Sequence, residues 1–156
     1  DLEIYAVDDD LQSLFAITVS GEIECALRED GASDFMGGTA HGDEMLLDIV
    51  FMLDGEVITT SAITTITNFS ELRIIENSTL YNADDHTTEM ARHSKEYVFT
   101  SEGIKINQVV VWKHSATLTK SYLAMFPVEK SISPKIVTNN EYLVRTFSVD
   151  GYFNEN

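Results

Sequence analysis

The sequence predicts an all-β fold: an antiparallel two-sheet sandwich of the jelly-roll type, built as a single domain over residues 1–156. Three observations carry that expectation. Thr and Ser total 28 residues, and β-branched and aromatic side chains fill most apolar positions, the composition of pleated, half-buried surfaces. Apolar and polar residues alternate in runs of about five to ten, the period that turns one face of a strand inward. Clusters of Gly, Asp and Asn cut those runs at the spacing of sandwiches and barrels. Sheets with one apolar face each must face one another or close.

In chain order, Asp1 to Val7 reads as the first strand, ended by Asp8-Asp9-Asp10. Ser13 to Ser20 follows, then Gly21 and a run from Glu22 to Arg28. Alternation within that run sets Cys25 opposite Glu22 and Glu24, which predicts a buried, inert thiol. Glu29-Asp30-Gly31 is a turn into a small-residue loop over 32–43. Glu44 to Leu53 reads as a strong buried strand. Asp54-Gly55 is a dipeptide preferred in type I′ hairpin turns, and Glu56 to Thr60 is its return strand. Ala62 to Phe69 and Glu71 to Glu76 are expected strands. Asn77 to His93 is polar, with a short helix expected around Asp84 to Arg92. Lys95 to Thr100, Ser101-Glu102-Gly103 and Ile104 to Trp112 form a hairpin. Thr117 to Val128 is one bent strand or a strand pair. Pro127 and Pro134 flank a loop, where neither interrupts a central ladder. Glu141 to Val149 alternates and is closed by Asp150-Gly151.

Charge narrows the function. Ten Lys and Arg face 26 Asp and Glu, a formal net charge of −16. Sequence-independent nucleic-acid binding needs a basic face to displace counterions, and docking on an anionic membrane needs the same sign. Neither fits. No apolar run approaches the roughly 20 residues of a membrane helix. The chain opens on Asp-Leu-Glu-Ile-Tyr, without Met or signal peptide, and reads as a domain excised from a longer chain. One Cys excludes an internal disulfide and a Cys-rich zinc site. With no nucleophile elbow, phosphate loop or dinucleotide fingerprint, no organic cofactor is expected.

The stretch from Gly31 to Glu44 differs from the rest. It holds four of the eight glycines, and His41, Asp43 and Glu44 within four positions. Glycine permits positive φ and close backbone approach, and loops between strands are where binding residues usually lie. One reading makes His41 a general base oriented by Asp43 or Glu44. A second offers the oxygens of Asp34, Asp43 and Glu44 to Ca²⁺. A third closes Gly37, Gly38 and their neighbours over a glycan, and a fourth makes the loop a structural crossing that the His and acids cap. His86 and His93, seven apart, would share a helix face and, with His41, make a three-His metal site; surface histidines are the commoner explanation. Glu44 and Asp48, four apart on one strand, are expected on one face, a carboxylate pair of the kind that hydrolyses glycosides. Trp112 and Tyr122, on strands expected to be neighbours, present flat amphipathic rings that could stack on sugars or pack in the core.

A further pattern is the Gly37-Gly38 to His41-Gly42-Asp43-Glu44 loop, followed by the strand to Leu53 and the Asp54-Gly55 turn. The later stretches Lys95 to Phe99, Trp112 and Tyr122 to Pro127 add to it. Over residues 20–128 this resembles β-sandwich domains of bacteriophage tail and appendage proteins, similar in architecture to jelly rolls or concanavalin-like sandwiches. The resemblance implies glycan or host-receptor binding, a virion or extracellular location and often a homotrimer. Concanavalin-like hydrolases place acids on alternating positions of one strand, a spacing from which Glu44-Met-Leu-Leu-Asp48 departs. The leading expectation is therefore a non-enzymatic carbohydrate- or receptor-binding domain of a larger protein. The alternatives are a polysaccharide lyase or glycoside hydrolase using His41, Asp43 and Glu44, with Tyr81 or His86 in the groove, and a structural assembly domain whose exposed edges meet identical copies.

Overall fold

The computed structural model describes residues 5–7, 14–16, 24–38, 44–59, 68–125, 135–137 and 144–146. The described elements are all β-strands: β1 (Tyr5–Val7), β2 (Leu14–Ala16), β3 (Glu24–Glu29), β4 (Glu44–Leu53), β5 (Glu56–Ile58), β6 (Glu71–Tyr81), β7 (Glu89–Thr100), β8 (Gly103–Trp112), β9 (Leu118–Met125), β10 (Lys135–Val137) and β11 (Val144–Thr146). The chain divides into two compact units, residues 24–124 and residues 1–23 with 125–156. In the latter, β1 pairs antiparallel with β2 and β10 with β11. The expected strand over 62–69 falls largely outside the described residues.

Residues 24–124 form two antiparallel sheets, the all-β two-sheet arrangement expected. Five strands lie in the order β5-β4-β6-β7-β8, and β3 pairs with β9. Both predicted hairpin turns are present. Asp54 and Gly55 have φ of 48° and 88°, the double positive that a type I′ turn requires. Asp54 also accepts hydrogen bonds from the Ser70 and Glu71 amides, 2.8 Å each, which fixes the start of β6. Gly103 opens β8 at φ 142°.

The core of this unit is Cys25 and Leu27 of β3, Met36 of the glycine-rich loop, Leu80 of β6, Ala83, and Met90 and Ala91 of β7, with Val110, Ala116 and Leu118 packed against them. The loop is tied down by a bridge in which Leu27 and Met36 exchange backbone hydrogen bonds of 2.9 and 2.8 Å. Gly37, at φ 87°, passes so close to β3 that a Cβ there would lie 2.4 Å from the Cys25 carbonyl oxygen. Only glycine fits. Cys25 is fully buried as expected, but Ala26 and Leu27 beside it are buried too, so β3 does not alternate there; burial, followed by the nearby Glu44 charge, pushes the Cys25 thiol up to about 11.

Three sequence expectations are corrected. The segment Asp84 to Arg92 is a turn followed by β7, not a helix. Asn82 Oδ1 takes the amides of Asp84 and Asp85, and Asp85 Oδ1 those of Thr87 and Thr88, so side chains satisfy donors that a helix would have used. Strand β4 is not strongly buried: Met45 to Ile49 are exposed, because β5 covers only Phe51 to Leu53. Finally, Asn77 to Tyr81 continues β6 rather than leaving it, Asn77 to Leu80 pairing with both β4 and β7 and Tyr81 with β7.

Candidate functional site

Pairing register builds a polar layer inside residues 24–124. Glu44 stands opposite Leu80, and Leu80 opposite Ala91. Two residues along, on the same face, Ser78 stands opposite His93; two further, Lys95 stands opposite Gln108. The Glu44 carboxylate gathers four donors. Gly38 N–H lies 2.9 Å away, His93 Nδ1 3.0 Å and Lys95 Nζ 3.2 Å, and the Ser78 hydroxyl donates a short bond. Burial alone would raise the Glu44 pKa. The bonds from His93, Lys95, Ser78 and Gly38 outweigh it and hold the carboxyl at about 2.

A carboxylate only accepts, so His93 carries a proton on Nδ1. Its Nε2 lies 3.0 Å from the Gln108 amide oxygen, while the Gln108 amide nitrogen is buried without a partner. Turning that amide by half a rotation lets it donate to Nε2, so that one ring proton satisfies both imidazole nitrogens and the orphan N–H disappears. The layer is shut between apolar neighbours. Leu80 and Ala91 lie on one side, Ile74 and Tyr97 on the other, and the His93 side chain is 0% exposed. Burial, then Glu76 and Glu44, raise the Tyr97 phenol, which donates to Glu76. A substrate has no access to this imidazole. The Glu44–His93–Lys95 group locks the first residue of β4 and the glycine-rich loop onto β6 and β7.

A second group forms where that loop meets β3 and β9, with Arg28, Phe35 and Tyr122 half-buried and Asp34 exposed. Phe35 and Tyr122 lie with ring centroids 5.8 Å apart and planes tilted by 36°. The Arg28 guanidinium sits 5.9 Å above the Phe35 ring and donates to the Ala32 carbonyl at 3.1 Å. Beside them, exposed Asp34 accepts from the Phe35 amide at 2.7 Å. Ser33 donates to Asp84 through its hydroxyl at 2.7 Å, tying the loop to the turn after β6, and these bonds are the main cause of a lowered Asp84 pKa. Asn82 reaches Glu29 at 3.0 Å.

The expected site residues are thus divided. Gly38 and Glu44 meet, but inside the fold, and Gly37 serves close packing. Asp34, exposed, and Tyr122, half-buried, are placed in the second group. His41 and Asp43 lie outside the described residues. Tyr81, half-buried, ends β6, and Trp112, exposed, ends β8. β8 and β9 do not pair, so Trp112 and Tyr122 are not on neighbouring strands as expected; the ring beside Tyr122 is Phe35. Asp48 leaves the Glu44 face, because a bulge between Leu46 and Asp48 inserts one extra residue. It bonds Asn77 at 2.7 Å on the other face. His86 is an exposed turn residue at φ 54°, and His93 is buried on β7 rather than at the surface or on a shared helix face. Among the described residues no three His, Cys, Asp or Glu are grouped to hold a metal.

Sequence reasoning missed Ser78, Lys95 and Gln108 in the buried layer, and Arg28 and Phe35 outside. The signal for the first was present. Extending the Lys95–Thr100 alternation backward puts Ala91, His93, Lys95 and Tyr97 on one face. Comparison with family models, with curated proteins and with solved structures found no match for this chain.

Proposed function

We propose that the chain is a carbohydrate- or host-receptor-binding domain of a larger virion or extracellular protein. One observation carries the reading: half-buried Phe35, Tyr122 and Arg28 gather beside exposed Asp34 where the glycine-rich loop meets β3 and β9. Aromatic rings match the apolar face of a sugar, while the Tyr122 hydroxyl, a guanidinium and a carboxylate beside them match its hydroxyls. The loop presenting them is anchored by the Leu27–Met36 bridge and by Glu44, so the surface is formed before a ligand arrives. The described imidazole–carboxylate pair is spent on that anchoring, which favours binding over lyase or hydrolase chemistry.

The test is a glycan array probed with the 156-residue chain and with Tyr122→Ala. Saturable retention of a defined set of glycans, lost in the variant while its circular dichroism is unchanged, is the expected result. Retention of nothing, or equal retention by both proteins, overturns the reading. Shortening of a retained oligosaccharide would identify a hydrolase or lyase instead.

A further inference from the structure

The five-stranded sheet has two apolar margins. On one side, β5 pairs only with Phe51 to Leu53, so β4 from Glu44 to Val50 has no strand beyond it among the described residues. Met45, Leu46, Leu47 and Ile49 are exposed there, Leu46 at 55%. On the other side, among the described residues β8 pairs with β7 alone, and Val109 and Val111 are 57% and 59% exposed. Edge strands normally carry charge, proline or a cover, since their free N–H and C=O groups recruit further strands. From Val109 to Trp112 this edge carries none of the two residue types.

From this we infer that β4 of one copy pairs with β8 of another, extending the sheet through a heterologous interface between identical chains. Strand direction allows it. β4 and β8 are separated by three antiparallel steps, through β6 and β7, and therefore run oppositely. A second copy set beside the first, strands aligned, presents β4 antiparallel to β8. Side-chain parity also allows it: on one face Met45 and Asp48 meet the row of Lys105, Val109 and Val111, and on the other Leu46 and Ile49 meet Ile106 and Val110.

Charge selects this pairing over a two-fold one. In a chain with 26 acids, the stretch from Gly103 to Lys113 has no acid and holds Lys105 and Lys113. The free stretch of β4 from Met45 to Val50 has no base and holds Asp48. Pairing β4 with β4, or β8 with β8, sets like charges together; pairing β4 with β8 sets opposite ones together. A heterologous contact closes into a ring or runs on as an open array, according to the rotation that the sheet twist imposes.

Two variants test this by light scattering of the full chain across a concentration series. Val109→Asp with Val111→Asp blocks β8, and Leu46→Asp with Leu47→Asp blocks β4, so that the two blocked edges repel each other in a mixture; all four positions are exposed, and circular dichroism checks the fold. The wild-type chain should associate, and each variant alone should be monomeric. Mixed, the two variants should form a dimer and nothing larger, since each retains the edge that the other has lost. A wild-type chain that stays monomeric at every concentration overturns the inference. So does a variant that dimerises by itself, or a mixture that does not.

Discussion

Replacing Glu44 by Gln probes the buried polar layer most directly. The side chain keeps its shape and loses its charge, and an amide N–H₂ is set against the Lys95 ammonium or the Gly38 amide. The magnitude follows from the carboxyl itself. Holding it at about 2 rather than 4.5 corresponds to roughly 3 kcal/mol between its charged and neutral forms. Removing one partner of a buried ion pair costs about 3–5 kcal/mol, of the same size. The sign of the pH dependence is set by a depressed folded-state pKa. The contribution is complete above the ordinary value of 4.5 and is lost as pH falls toward about 2. Urea denaturation of wild type and variant across that window is the assay. The variant should be weaker by about 3 kcal/mol at neutral pH, and the two should converge as the wild-type carboxyl takes up its proton. Equal stability at neutral pH, or a gap that does not change through the window, would refute the idea that Glu44 is the charged keystone of the fold.

Three other outcomes follow from the same structure. Gly37→Ala places a methyl 2.4 Å from the Cys25 carbonyl oxygen at φ 87°; the thermal midpoint should drop by the equivalent of more than about 2 kcal/mol. Asp54→Ala loses the acceptor for the Ser70 and Glu71 amides and strains a φ of 48°, costing about 1–2 kcal/mol by urea midpoint, whereas Asp54→Asn should cost less because Asn tolerates that conformation. Cys25, buried and with its thiol raised to about 11, should react with a maleimide at neutral pH only as fast as the protein opens, and immediate labelling of the folded chain would contradict its placement.

Much of the fold is legible in local pattern. The β7–β8 hairpin, the Asp54-Gly55 turn and the extent of β4 follow from alternation and from the few residues that tolerate positive φ. The loop from Gly31 to Gly38 stands out by composition alone, and the structure uses it twice, closing on Glu44 within and setting half-buried Phe35 against Tyr122 and Arg28. Side-chain period, however, fixes faces only within one strand. Which face is covered, and which residues of other strands share it, depends on long-range register. One bulged residue at Leu47 therefore sends Asp48 away from Glu44. The pairing of β6 with β7 brings Ser78 to His93, 15 positions along the chain. The short reach of β5 leaves a strand that reads as core open at the surface. Local chemistry decides where strands begin and end; cooperative pairing between distant segments decides what their side chains meet.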